Sequence, residues 1–190
     1  LAARATGMLI LPETLVPTVQ LVGLFLIGFP RFMLAIAFFL FAPMNPEYRL
    51  LSVDTKIARA FCFHQFWIAF LIGFSGAIIA FNTNNGLPMD SSGLGFWLNL
   101  ALYIYLIVIF WRYREGGVSM MRGADPDVTP MEEHAAQLYP YANILSFITL
   151  WWVSRIIISY GNLELLASAP HYKTMLLLMF APAMDTLIRG

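Results

Sequence analysis

Four long apolar runs alternate with polar segments along the chain. They cover residues 57–81, 94–111, 138–159 and 171–188. Each is close to the length of about 20 residues that an α-helix needs to cross roughly 30 Å of hydrocarbon. The pattern therefore predicts a transmembrane helix in each of these ranges.

A further apolar stretch, from Met8 to Pro43, is too long for one ordinary span and contains prolines at positions 12, 17 and 30. Proline removes a backbone donor and tends to bend or end a helix. We therefore expect one long helix over residues 14–43 that is bent at Pro30. The alternative is a short interfacial or re-entrant piece followed by a span, since irregular backbone is tolerated at membrane depth where protein covers it.

The segments between the runs are rich in turn-forming residues. The longest, GGVSMMRGADPDVTP, covers residues 116–130 and is expected to be a polar linker. It closes with Thr129 and Pro130, and Glu132 follows two positions later. This is the capping-box pattern of a helix N-terminus with proline in the first helical position. A helix should therefore start near Pro130, outside the membrane.

The composition agrees with a membrane environment. The chain has 190 residues, of which 59% are hydrophobic and 12% are charged, and its mean hydropathy is +0.72. A soluble domain is about half apolar and a quarter charged. We predict an all-α integral membrane protein with about five transmembrane helices, which forms one polytopic domain over residues 1–190. The formal net charge is zero, so nothing in it indicates a nucleic-acid partner.

Basic residues alternate between the loops. Three lie in residues 44–59 and three in residues 112–137, whereas residues 82–93 and 160–170 contain none; the six are Arg49, Lys56, Arg59, Arg112, Arg114 and Arg122. The positive-inside tendency places both basic loops on the cytoplasmic side, or on the matrix side of an organelle. With five spans the N-terminus is then outside and the C-terminus inside. A hairpin in the first stretch would reverse only the N-terminus.

Ionisable side chains within a membrane span are costly, which makes them functional candidates. Among the charged residues within the predicted spans, the three candidates are Arg31, Arg155 and Asp185. Arg31 follows Pro30, and it either uses carbonyls freed by the broken helix or marks a helix end and snorkels to the interface. Arg155 and Asp185 lie near opposite membrane surfaces, where each could be an interfacial anchor. An intramembrane pair of Arg31 with Asp185 is the functional alternative.

His64 is the one histidine well inside a predicted span. Phe61, Ile68, Leu71 and Ser75 share its helix face by spacing. The imidazole could be an axial ligand to a haem or chlorophyll, or a proton relay. The structural alternative is a buried histidine whose ring is hydrogen-bonded to a neighbouring helix.

Two other local patterns have structural explanations. Glu132, Glu133 and His134 are adjacent, so they point about 100° apart on a helix and do not form the face of a metal site. They suit the solvated first turn of a helix, where the dipole favours acidic groups. Gly73 and Gly76 are three residues apart, which is a weak indication of close contact between helices.

No motif in the chain indicates independent catalysis. We therefore expect an accessory or structural subunit of a larger membrane complex, most plausibly an energy-transducing complex of the respiratory type in the mitochondrial inner membrane. Other membrane subunits and lipids would be its partners. The Leu1 terminus suggests either a removed leader or an incomplete N-terminus, and nine Arg against two Lys suit an imported protein.

Two alternatives belong to other functional classes. The first is a pigment- or haem-binding subunit that uses His64, with a tetrapyrrole as cofactor. The second is a small-solute or lipid-handling membrane protein in which Arg31 and Asp185 face a cavity.

Overall fold

The described part of the chain is helical. The computed structural model describes residues 16–86, 94–123, 128–160 and 170–189, and these contain no β-strand. The α-helices are α1 (Val16–Val22), α2 (Phe29–Phe41), α3 (Thr55–Asn84), α4 (Leu94–Arg112), α5 (Arg114–Arg122), α6 (Pro130–Ser159) and α7 (Pro170–Arg189). A π-helical segment, Gly23–Gly28, joins α1 to α2, and a short 3₁₀ turn occupies Pro46–Tyr48.

The first apolar stretch is one uninterrupted helical run from Val16 to Phe41. The backbone N–H of Phe29 donates to the carbonyl of Leu24, five residues earlier. Pro30 has no N–H and its ring would collide with the preceding turn of a regular α-helix, so the turn before it widens. The expectation of one long helix is confirmed for residues 16–41, and its bend at Pro30 stays a prediction. The earlier part of the stretch lies outside the described residues.

Among the described residues, four helices are long and apolar enough to cross a membrane: Val19–Phe41, Thr55–Asn82, Leu94–Arg112 and Pro130–Ser159. The chain is thus an all-α integral membrane protein. The fifth predicted range, 171–188, lies within α7, which is 20 residues long but is not among these four. α7 contains Lys173 and Asp185, which lower its apolar character, so the number of five spans stays a prediction.

The predicted start of α6 is confirmed in atomic detail. The Thr129 hydroxyl accepts a hydrogen bond from the Glu132 backbone N–H at 3.3 Å, and the Glu132 carboxylate accepts one from the Thr129 backbone N–H at 2.8 Å. Pro130 is the first helical residue. The two reciprocal bonds satisfy backbone donors that a helix start would otherwise leave unpaired.

The prediction of a polar linker over residues 116–130 was wrong for its first part, because residues 114–122 form α5. Gly116 and Gly117 were interpreted as turn residues, whereas both are buried within this helix. A β-carbon at Gly116 would lie 2.6 Å from Ile57 Cγ2, and one at Gly117 would lie 3.2 Å from Pro140 Cγ. Glycine is required here by close packing on both sides of α5.

Contacts divide the chain into two compact units, Leu1–Phe38 with Cys62–Leu102 and Phe39–Phe61 with Tyr103–Gly190. In the first unit, the π-helical segment contacts α3 at Gly73. A β-carbon at Gly73 would lie 2.0 Å from the Phe25 carbonyl oxygen, and one at Gly76 would lie 3.0 Å from the Phe25 ring. The expected close helix contact at these two glycines is confirmed.

The core of the second unit forms around the loop that precedes α3. Its buried members are Leu51, Val53, Ala58, Met120 and Ala183, and the partly buried side chains packed against them are Leu40, Phe41, Ile57 and Phe61. The loop, α5 and the C-terminal half of α7 therefore share one apolar centre. Through Leu51 and Val53, this centre holds the loop that contains Arg49.

Candidate functional site

The Arg49 side chain joins three segments of the second unit by hydrogen bonds. α2 ends at Phe41, and the next residue, Ala42, has a φ of +32°, which turns the chain out of the helix. Arg49 donates from Nε to the Phe41 carbonyl at 2.8 Å, from Nη1 to the Val53 carbonyl, and from Nη2 to Thr55 Oγ1 at 3.2 Å. One guanidinium thus joins the end of α2, the loop and the start of α3.

Two further hydrogen bonds hold the same loop. The Leu51 backbone N–H donates to the Leu40 carbonyl at 3.2 Å, and the Ser119 hydroxyl of α5 donates to the Ser52 carbonyl at 2.8 Å. Backbone groups next to an apolar core need such partners, because an unpaired buried polar group costs free energy. The loop is therefore a fixed part of the fold.

The outer surface of this end carries charged residues. Arg122 donates from Nε and Nη2 to the two carboxylate oxygens of Glu133. This hydrogen-bonded carboxylate raises the pKa of Arg122 above its ordinary value. His134 Nδ1 lies 2.8 Å from the Pro130 carbonyl. These contacts support the interpretation of Glu133 and His134 as residues of a helix start.

Sequence reasoning missed a buried polar group on α6. Asn143 is fully buried and donates from Nδ2 to the Tyr139 carbonyl at 2.9 Å. Tyr139 is also buried, and its hydroxyl donates to the Met179 carbonyl of α7 at 2.8 Å. Tyr139 and Asn143 are four residues apart, so the sequence alone places them on one face of a helix. The Tyr139 hydroxyl joins α6 to α7, whereas the Asn143 hydrogen bond lies within α6.

His64 lies on α3 in the first unit and is partly buried. Its ring meets the Phe63 ring edge to face, with 5.5 Å between the ring centroids. Phe63, Trp67, Phe70 and Phe74 follow one another along the same helix with successive ring contacts. The histidine therefore stands beside an aromatic strip, which we call the α3 strip and define by these four residues.

The other three candidates lie on three different helices. Arg31 is exposed on α2 in the first unit, whereas Arg155 on α6 and Asp185 on α7 are partly buried in the second. Arg155 and Asp185 each have an interaction partner. The proposed pairing of Arg31 with Asp185 joins two units that are described separately, so it stays a prediction.

Among the described residues, no group of three or more His, Cys, Asp or Glu side chains converges to hold a metal ion. The best-formed polar cluster, around Arg49, binds the protein's own backbone and the Thr55 hydroxyl.

No protein-family model, no curated protein and no solved structure matches this chain. The function must therefore be inferred from the side chains themselves.

Proposed function

We propose that the protein is an accessory, structural transmembrane subunit of a larger membrane complex. The observation that supports this best is the large apolar and aromatic area that its spans leave uncovered. Phe63 is 59% exposed and Trp67 is 41% exposed in the middle of α3. In each of the four spans, at most 28% of an apolar stretch of 18 residues is buried within the chain.

Aromatic side chains favour a protein partner over lipid alone. Rigid rings provide a large contact area and lose little conformational entropy when they are fixed. Aromatic residues are accordingly enriched where proteins contact one another. The α3 strip presents such rings in sequence along one helix, which suits contact with a helix of another subunit.

The finer part of the proposal is an energy-transducing complex of the respiratory type in the mitochondrial inner membrane. Its support is compositional: nine of the eleven basic residues are arginine. The identity of the complex follows from the test below.

The test is gentle detergent extraction from the native membrane, followed by native gel electrophoresis and mass spectrometry of the band that contains the chain. We expect migration with a large assembly of several proteins. Migration as a monomer or small homo-oligomer would contradict the proposal.

A variant ties the result to the α3 strip. Phe63→Ala with Trp67→Ala should weaken co-migration with the assembly. The control is Phe32→Ala with Phe39→Ala on α2, which also removes two rings, at side chains that are 62% and 70% exposed. Equal loss in both variants would remove the α3 strip as the contact surface.

The second candidate function is binding of a haem or chlorophyll by His64. Its support is the position of a partly buried imidazole beside the α3 strip, because aromatic side chains commonly wall a macrocycle and histidine supplies an axial ligand. Visible absorption that co-purifies with the chain would favour it. The band should disappear in His64→Ala and persist in His134→Ala, whose histidine lies at the exposed start of α6. An unchanged band in His64→Ala would exclude this residue as the ligand.

A further inference from the structure

A cluster of cationic and aromatic side chains lies where α4 ends beside α6 in the second unit. Trp111 and Tyr141 meet edge to face, with 6.2 Å between the ring centroids, and both are exposed. Arg114 lies over the Trp111 ring, Arg112 follows Trp111 in the sequence, and both arginines are exposed as well. We call Trp111, Arg112, Arg114 and Tyr141 the Trp111 patch.

The two guanidinium groups of the patch suit an anion. Arg114 places its guanidinium carbon 5.9 Å from the centre of the Trp111 ring and donates from Nη1 to the Trp111 carbonyl at 3.4 Å. These contacts hold the side chain against the end of α4. A guanidinium carries five N–H donors in a planar fork that matches phosphate, so one bond to a carbonyl leaves it able to bind an anion.

The patch continues into apolar surface along both helices. On α4, Ile104 and Val108 precede Trp111 by seven and three residues and are 52% and 55% exposed. On α6, Leu145 and Ile148 follow Tyr141 by four and seven residues and are 64% and 41% exposed. Residues at these spacings share a helix face. Each helix therefore carries an apolar strip that begins at the patch and runs along the span.

The surrounding charges leave the patch positive. Glu115 is the exposed acidic neighbour in sequence, and Arg122 is neutralised by its ion pair with Glu133. Phe61 and Tyr113 rings, 5.8 Å apart, bring the start of α3 to the same end. That start supplies the exposed Lys56 and Arg59 and is preceded by the exposed Asp54. With the Arg122–Glu133 pair left out, these six charged residues comprise four cations and two anions.

We propose that the Trp111 patch is a binding site for an anionic phospholipid. The phosphate is held by Arg112 and Arg114, the headgroup region contacts the Trp111 and Tyr141 rings, and the acyl chains cover the apolar strips of α4 and α6. Tryptophan and tyrosine favour the headgroup level, and arginine near the surface favours anionic lipid. The site requires only that the chain spans a membrane, so it does not depend on membership of a larger complex.

The test measures lipid binding to the delipidated full chain in detergent by native mass spectrometry. The probes are phosphatidylglycerol and phosphatidylcholine with identical acyl chains. The variant is Arg112→Gln with Arg114→Gln, and the matched control is Lys56→Gln with Arg59→Gln, which removes the same charge at the same end of the molecule. Thermal unfolding of each variant verifies that it is folded.

We expect the wild type to bind phosphatidylglycerol more tightly than phosphatidylcholine. The Arg112/Arg114 variant should lose at least about tenfold in phosphatidylglycerol affinity, since each arginine near a membrane surface contributes a factor of about five. The control should lose clearly less. An Arg112→Lys, Arg114→Lys variant should retain part of the preference for the anionic lipid, because it keeps charge without the planar fork.

Three results would overturn the proposal. Equal binding of the two lipids would mean that the patch does not distinguish an anionic headgroup from a zwitterionic one. Equal losses in the variant and in the control would mean a diffuse electrostatic attraction without a site. Unchanged phosphatidylglycerol affinity in a folded Arg112/Arg114 variant would place the lipid elsewhere.

Discussion

At the scale of single residues, Arg49 has the most consequential contacts in the second unit. Arg49→Ala removes three hydrogen bonds to Phe41, Val53 and Thr55. We expect a loss of about 2–3 kcal/mol of stability, because a charged donor contributes more than a neutral one and its acceptors would be left unpaired. Hydrogen exchange at the Leu51 amide should accelerate as the loop opens.

The matched control for Arg49 is Arg59→Ala on the exposed surface of α3. It removes the same side chain with little expected change in melting temperature or exchange. Arg49→Lys should recover only part of the loss, since an ammonium cannot reproduce three divergent guanidinium bonds. An Arg49→Ala protein with unchanged Leu51 exchange would contradict the role assigned to this side chain.

Gly73 supports a second prediction at this scale. A β-carbon there would lie 2.0 Å from the Phe25 carbonyl oxygen, and a backbone atom cannot move aside alone. Gly73→Ala should therefore destabilise the first unit by about 2 kcal/mol or more, at the upper end of the cost of overpacking. Thermal unfolding in detergent measures the change.

Two other glycine-to-alanine variants are references for the destabilisation expected of Gly73→Ala. Gly76→Ala should cost less, because its β-carbon would meet the Phe25 ring at 3.0 Å, and Gly23→Ala should be tolerated, because nothing lies within 4 Å of the added atom. If all three variants melted at the same temperature, close approach of the helices at Gly73 would be refuted.

The sequence could reveal those residues whose role is local. The capping box at Thr129 and Glu132 was predicted correctly because its donors and acceptors lie within four residues of one another. Gly116 and Gly117 were misinterpreted because glycine suits both a turn and a close helix contact, and only the positions of Ile57 and Pro140 distinguish the two. The roles of Arg49 and Asn143 likewise depend on contacts that spacing alone does not specify.

At the scale of elements, the packing of α5 against α6 can be tested by a double-mutant cycle. Gly117→Ala places a β-carbon 3.2 Å from Pro140 Cγ, whereas Pro140 Cβ is 3.8 Å away. Pro140→Ala removes the ring atom and leaves an ordinary contact. The cost of Gly117→Ala should therefore shrink by about 1 kcal/mol in the Pro140→Ala background, a typical coupling for residues in contact. Thermal unfolding of the four proteins gives the coupling.

Gly116→Ala is the control for this cycle. Its nearest contact is Ile57 of α3, at 2.6 Å, so Pro140→Ala should not rescue it. Rescue of both glycine variants by Pro140→Ala would indicate a general loosening of α6 in place of a specific contact.

The helices themselves were largely predictable, because long apolar runs in a chain with few charges leave little alternative to membrane spans. The short amphipathic α5 was not, since its two glycines and the charges at both ends resemble a linker. Its burial depends on partners from α3 and α6, which are distant in sequence. The same dependence explains why no single candidate site could be assembled from His64, Arg31, Arg155 and Asp185.

At the scale of the whole molecule, the alternation of basic loops predicts sidedness. α3 has 30 residues, which measure about 45 Å, so its two ends lie on opposite sides of a membrane that it crosses. In a Cys62→Ala background, Met131→Cys and Asn84→Cys should react with an impermeant maleimide from opposite faces of native vesicles. The Met131 side should be the cytoplasmic or matrix side. Reaction of both from one face would contradict the topology.

The number of crossings depends on α7. Its 20 residues measure about 30 Å, the thickness of the hydrocarbon core. The C-terminal half of α7 packs next to the loop that precedes α3. Ala183 lies in the apolar core with Leu51 and Val53 of that loop, and the Met179 carbonyl accepts the Tyr139 hydrogen bond. Lys173 precedes Ala183 by ten residues, about 15 Å along the helix axis. We therefore expect α7 to cross the membrane as the fifth span.

Cysteine labelling distinguishes a crossing from a helix that lies along the interface. In the same Cys62→Ala background, Ile188→Cys should react on the face that labels Met131→Cys, and Lys173→Cys should react on the face that labels Asn84→Cys. If Lys173→Cys and Ile188→Cys both react on the Asn84 face, where α6 ends after crossing, α7 lies along that interface and the described chain crosses four times. Reaction of Lys173→Cys and Ile188→Cys on opposite faces would instead establish the fifth crossing, because a helix with its ends on opposite sides must pass through the hydrocarbon.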